Sequence, residues 1–157
     1  MSAEVGTTAP GFTLFDTDGN EFSLSSLKGK TVVLAFFPAV FSGVCDDEMC
    51  TFRDALSEYS SLNASVVAIS TDARFGNAEF KNRHRLNFPV LSDYKKSTIE
   101  DYGVTWPDFA GMDGFTAAQR SVFVIGSDGK ISWKWLCNVP SDLPPFDEVK
   151  SQVEALG

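Results

Sequence analysis

Apolar residues fall along the chain in short blocks whose period changes from one block to the next. Phe12-Thr13-Leu14-Phe15 and Glu21-Phe22-Ser23-Leu24 flank Asp16-Thr17-Asp18-Gly19-Asn20, the pattern of a β-hairpin with a glycine-containing loop. Thr31-Val32-Val33-Leu34-Ala35-Phe36-Phe37 is apolar almost without interruption, as a central strand buried on both faces should be, and Pro38 ends it. From about residue 42 to 62 the period becomes helical. Cys45, Met49, Phe52, Leu56 and Tyr59 share one face, while Asp46, Asp47, Asp54 and Glu58 lie off it. Ser65-Val66-Val67-Ala68-Ile69-Ser70 predicts a second buried strand, followed by a polar helix over about 73–85. Pro89-Val90-Leu91 predicts a short strand, and residues 97–102 a short helix.

Ser121-Val122-Phe123-Val124-Ile125 and Ile131-Ser132-Trp133-Lys134-Trp135-Leu136 pair across Gly126-Ser127-Asp128-Gly129-Lys130, a hairpin with an Asp-Gly turn. Pro144 or Pro145 opens a last helix, whose Phe146, Val149, Val153 and Leu156 fit a 3.6-residue period. Residues 105–119 read as a long loop whose Trp106, Phe109 and Phe115 cover one end of the core. The β-β-α-β-α-β-α-β-β-α order predicts an α/β sandwich, a mixed sheet with helices on both faces and right-handed crossovers. No linker or repeat divides the 157 residues, so a single domain over 1–157 is expected.

Charge narrows the function classes. The 13 Lys and Arg against 21 Asp and Glu leave a net −8, which repels phosphate backbones and anionic lipid surfaces. Neither nucleic acid nor a membrane is an expected partner, and no stretch approaches the roughly 18 apolar residues of a membrane span. Cysteines 45, 50 and 137 cannot all pair within one chain, and no apolar run of signal-peptide type opens the sequence. The expectation is a soluble, cytoplasmic protein with free thiols.

One of those thiols sits in a chemically suggestive place. The segment from Phe36 to Cys50 carries Cys45 from the carboxyl end of a central strand, through a short loop, into the first turn of a helix. Open α/β sheets bind ligands at the carboxyl ends of their strands. A helix N-terminus offers unpaired N–H groups and partial positive charge, which favour the nucleophilic thiolate over the thiol. Ser42 can cap this helix or direct its hydroxyl to the sulfur. Equally, Cys45 can be a small buried hydrophobe on the core face of the helix. Spacing alone leaves both open.

The sequence resembles the peroxiredoxin family over nearly its whole length. Ala9-Pro10-Gly11-Phe12-Thr13-Leu14, Asp18-Gly19 and Leu27-Lys28-Gly29-Lys30 are similar to the family's N-terminal hairpin and its approach to the first central strand. Pro38, Ser42 and Cys45 match its P-x-x-x-[T/S]-x-x-C motif, with Cys45 in the peroxidatic position. Glu48 matches the acidic residue three positions later, and Arg120 the distant active-site arginine. Cys50 sits where the bacterioferritin-comigratory (Q-type) subgroup keeps its resolving cysteine. The resemblance implies a thioredoxin-like three-layer sandwich and a thiol-dependent peroxidase acting on hydrogen peroxide and small organic hydroperoxides. Arg120 would stabilise the thiolate and polarise the peroxide, Ser42 and the Cys45 amide would hold its oxygens, and Pro38 would shield the site. Glu48 would orient an arginine, Arg120 or Arg53. A thioredoxin-like dithiol would restore the enzyme, with no metal or organic cofactor, in a monomer or homodimer.

Two positions depart from the pattern. Ser42 replaces the commoner Thr and loses the methyl that restricts its rotamer. Asp46 replaces a Thr beside the nucleophile, and at the helix start its carboxylate is expected to point to solvent. Cys45 and Cys50 in an intact helix are separated by about 7.5 Å of rise and about 140° of rotation. A disulfide needs Cα atoms within about 7 Å, so joining them requires the first turns to unwind. The Asp46-Asp47 start is expected to have little packing to lose. Cys137 lacks the Val-Cys-Pro context of the family's C-terminal resolving cysteine and receives no task.

Other functions compete. If Cys50 does not resolve, the protein is a one-Cys peroxidase that relies on an external thiol. A thiol–disulfide oxidoreductase would need C-x-x-C, where this chain has C-x-x-x-x-C. A redox sensor or metal module would recruit Cys45, Cys50, Cys137 and the sole histidine, His84. That residue lies at a basic helix end, where a cation on the last turn is ordinary.

Overall fold

In the computed structural model, which describes residues 3–157, the alternating blocks become nine strands and four α-helices. In chain order these are β1 (Thr13–Phe15), β2 (Glu21–Ser23), β3 (Thr31–Phe36), α1 (Val44–Ser61) and β4 (Ala64–Ser70). Then come α2 (Arg74–His84), β5 (Val90–Ser92), α3 (Ser97–Asp101) and the two-residue strands β6 (Thr105–Trp106) and β7 (Ala117–Ala118). The hairpin β8 (Ser121–Ile125) and β9 (Ile131–Leu136) precedes the last helix α4 (Phe146–Leu156). Seven strands form one sheet in the order β2-β1-β5-β4-β3-β8-β9. The run β5-β4-β3 is parallel and every other pairing antiparallel, a mixed sheet as the block order predicts.

Strand alternation divides the core. Val33, Ala35 and Phe37 point to the face packed by Met49 and Phe52 of α1, Phe80 of α2, and Val149 and Val153 of α4. Val32, Leu34 and Phe36 point to the opposite face, where Ile99 of α3 meets Tyr102, Val104 and Phe123. Helices therefore lie on both faces. Met49, Phe52 and Phe80 are wholly buried, each contributing roughly 1.5–3 kcal/mol by removal of apolar surface from water. The buried Asp93 carboxylate starts α3 by accepting the Thr98 and Ile99 amides at 3.2 and 2.8 Å.

Residues 105–119 are more ordered than a loop. Trp106 pairs with Ala117 and Thr105 with Ala118, and Phe109 packs edge-on to Phe115 at 6.2 Å. Two-residue strands are too short to display a period, which is why the pattern misses them.

Register brings the site together. Phe36 at the end of β3 pairs with Ser121 at the start of antiparallel β8. Arg120, one residue before Ser121, thus arrives at the carboxyl end of β3, beside a helix start 75 residues away in sequence.

Candidate active site

The loop between β3 and α1 is held at several points. Phe37 N–H donates to the Ile69 carbonyl at 3.0 Å, Pro38 is buried, and Val40 N–H donates to Asp72 Oδ2 at 3.0 Å. The Ser42 hydroxyl donates to the Ala39 carbonyl at 2.9 Å. Gly43 caps α1 at φ 80°, ψ −70°, a conformation that an L side chain disfavours. Among the described residues no side chain caps this helix, so Ser42 does not take the capping role. Phe41 also has positive φ, 61°, and its ring is held edge-on to Phe80 at 5.4 Å with the Arg83 guanidinium at 5.2 Å.

Cys45 emerges from this loop onto the core face of α1 with no solvent exposure. Arg120 Nη1 donates to its sulfur at 3.2 Å and to Glu48 Oε1 at 2.7 Å. Nη2 of the same guanidinium donates to the Pro140 carbonyl at 3.0 Å. Cys45, Glu48 and Arg120 are all buried, and Arg120 Nε and Glu48 Oε2 have no hydrogen-bond partner among the described residues. Of the two arginines weighed for Glu48, it is Arg120 that it holds. Arg53 instead donates to Asp54 Oδ1 and to the His84 carbonyl.

Electrostatics at the sulfur differ from the simple expectation of a helix-start thiolate. Burial pushes the Cys45 thiol up, against the Arg120 charge, the Ser42 hydroxyl and the Ala39 backbone, which pull it down, while Glu48 adds to the rise. Burial also pushes Glu48 up to about 7, despite Arg120. The sulfur and the carboxylate compete for one guanidinium, so each depends on the other's proton.

A model of the AhpC/TSA family matches residues 5–134. A putative peroxiredoxin bcp from Coxiella burnetii is 38% identical over 135 residues, covering 86% of this chain and 89% of that protein. The chain belongs to the peroxiredoxin family. A putative chloroplastic peroxiredoxin Q from Oryza sativa subsp. indica is 34% identical over 128 residues, 82% of this chain, which spans 57% of that longer protein. The crystal structure of peroxidoxin BcpB from Mycobacterium tuberculosis superposes with a TM-score of 0.87 at 30% identity, covering 99% of each chain. These relatives agree with the Q-type subgroup and with the thioredoxin-like fold.

In this peroxiredoxin, Pro38, Ser42, Cys45, Glu48 and Arg120 lie beyond the carboxyl end of the interior strand β3. Cys50 does not join them. It lies half-buried one turn further along intact α1, its sulfur 3.6 Å from His84 Nδ1. Asp46 does not point to solvent: its Oδ2 lies 3.0 Å from His84 Nε2, and its Oδ1 is buried without a partner among the described residues. A nearby imidazole outweighs the weak pull of the helix end. The first turns of α1 also have much packing to lose, since Cys45, Glu48 and Met49 are all 0% exposed. Cys137 is buried, and its backbone N–H donates to the Arg120 carbonyl at 2.9 Å, so its visible work is to fasten the arginine.

Two residues escaped the sequence-based expectations. Asp72 fixes the Val40 amide from the end of β4, and a carboxylate just past a central strand was the available signal. His84 looks like a helix-end cation in sequence, and nothing in a spacing of 34 residues from Cys50 indicates their contact. A metal centre on all three thiols and His84 is not favoured, because Cys45 lies against the Arg120 cation.

Proposed function

We propose that this peroxiredoxin reduces hydrogen peroxide and small organic hydroperoxides, with Cys45 as the attacking sulfur. The observation that carries the proposal is the single guanidinium nitrogen of Arg120 donating both to Cys45 Sγ and to Glu48. Arg120 stabilises the thiolate and, when peroxide binds, polarises the oxygen that departs. Protonation of Glu48 leaves that charge to the sulfur. Ser42 has one hydroxyl proton, given to Ala39 in the resting site and available to a peroxide oxygen when the hydroxyl rotates. The Cys45 amide holds the second oxygen, and Pro38 excludes water. The sulfur–oxygen bond forms as the O–O bond breaks, the departing oxygen takes a proton as water or alcohol, and Cys45 is left as sulfenic acid.

Cys50 then attacks the sulfenic sulfur and displaces water, giving a Cys45–Cys50 disulfide that a thioredoxin-like dithiol reduces. With α1 wound, the two sulfurs cannot meet. An oxygen added to a fully buried sulfur disfavours the closed site, and the first turns of α1 unwind. The chain works as one domain, monomeric or homodimeric, and the chemistry suits a cytoplasm that keeps thiols reduced. Mass spectrometry after one equivalent of hydrogen peroxide tests the scheme. It predicts a Cys45–Cys50 bond, whereas a Cys45 sulfenic acid persisting until external thiol is added assigns the protein to the one-Cys class.

A further inference from the structure

His84 closes a second chemical cluster, one turn along α1 from the first. Its Nε2 lies 3.0 Å from Asp46 Oδ2 and its Nδ1 3.6 Å from the Cys50 sulfur. Asp46 and Cys50 are four residues apart, on the same side of the helix, and the imidazole bridges them. A carboxylate can only accept, so in the neutral ring Nε2 carries the proton and Nδ1 faces the thiol as an acceptor. The ring is fixed between Phe80, edge-on at 5.0 Å, and Phe41 at 6.3 Å. Arg53 Nη1, donating to the His84 carbonyl at 2.7 Å, ties the end of α2 to α1 beyond Cys50. Sulfur, imidazole and carboxylate in a row form the arrangement that activates a thiol nucleophile.

We propose that His84 is the acid–base residue of the resolution step and that Asp46 is its positioning residue. The proposal rests on Cys50 being the resolving thiol. As Cys50 attacks, its proton passes to His84 Nδ1. The Cys50–Cys45 sulfur bond forms, the sulfur–oxygen bond of the sulfenic acid breaks, and the departing hydroxide takes the imidazolium proton to leave as water. Cys50 is oxidised and the Cys45 sulfur reduced, so no further reactant is needed. The anchor through Arg53 and His84 keeps Cys50 in place, so it is the Cys45 turn that moves. Asp46 leaves with that turn and exposes Nε2 to solvent, having set the tautomer beforehand.

The surroundings of Cys50 explain why it needs a base. Burial and the carboxylates of Asp54, Asp46 and Asp47 push this thiol up, opposed by Arg53. Arg83, the residue before His84 in α2, is engaged with the Phe41 ring and with Glu79 Oε1 at 2.9 Å, and Arg85 follows just past the helix end. Unaided, Cys50 is a thiol at neutral pH and a poor nucleophile.

Rapid kinetics after one equivalent of hydrogen peroxide tests the proposal by timing sulfenic acid and disulfide formation separately across pH. The comparison uses wild type, His84→Gln and Asp46→Ala. At neutral pH His84→Gln should slow disulfide formation, relative to sulfenic acid formation, by about 100-fold, the scale of general base catalysis. The deficit should close in alkali, where Cys50 ionises by itself. Asp46→Ala, which removes the acceptor that sets the tautomer, should show the same pH signature with a smaller deficit than His84→Gln, and it carries the test if His84→Gln does not fold. An unchanged step ratio, or a deficit equal at every pH, overturns the role of His84 while leaving Cys50 as resolver. Absence of a Cys45–Cys50 disulfide in the wild type overturns the resolving role itself.

Discussion

Glu48 concentrates the chemistry at the residue scale. An exposed glutamate titrates near 4.3, and burial pushes this one up to about 7. The folded protein binds the Glu48 proton more tightly than the unfolded chain. Its contribution to stability is therefore complete below about 4.3 and is lost as pH rises through about 7. Glu48→Gln should flatten the fall in the urea midpoint that wild type shows across that window, and an unchanged fall would place the titration elsewhere. The same substitution removes an anion that raises Cys45, so the thiolate absorbance of Cys45 should appear at lower pH than in wild type. The spacing of Pro38, Ser42, Cys45 and Glu48 was legible because all four lie in one strand–loop–helix segment. Arg120 was legible only through the family resemblance. The Asp46–His84–Cys50 contact was not legible at all, because it depends on where α2 ends against α1.

At the scale of the element, α1 decides how fast oxidation can be completed. Its first two turns hold Cys45, Glu48 and Met49 in full burial, while its middle is tied to the end of α2 through Arg53. Amide exchange across residues 44–50 should accelerate on oxidation of wild type and also of Cys50→Ser, whose Cys45 sulfenic acid alone disfavours the closed site. Retained protection in a protein already carrying the Cys45–Cys50 bond would contradict the unwinding step. Apolar period placed α1, the central strands and both hairpins within a residue or two. It failed at β6 and β7, where the Thr105–Ala118 and Trp106–Ala117 pairs are set by tertiary position.

Across the whole molecule, the N-terminal segment binds the turn that follows β8, at the opposite end of that strand from Arg120. Residues 3–10 lie along the β8–β9 turn. Gly6 N–H donates to Ile131 O at 2.7 Å, Ala9 N–H to Gly129 O at 2.9 Å, and Tyr102 Oη to Pro10 O at 2.7 Å. Ala3 and Ala9 are buried against the cluster around Leu34 and Phe123. Deleting residues 1–10 removes these bonds, each worth about 1 kcal/mol net, so stability should fall by about 3 kcal/mol or more. The rate of Cys45 sulfenic acid formation in the folded fraction should be preserved, and a matching loss of that rate would show the two ends to be coupled. Among the described residues no helix is long and apolar enough to cross a membrane, and the net charge of −8 leaves Arg120 as a buried positive focus in an acidic protein. The central claim is that one sulfur performs the attack on peroxide. Its most direct test is peroxide consumption by Cys45→Ser, beside wild type and Cys137→Ser, with a thioredoxin-type donor in excess. The account predicts no turnover by Cys45→Ser and near wild-type turnover by Cys137→Ser, and turnover surviving the loss of Cys45 would contradict it.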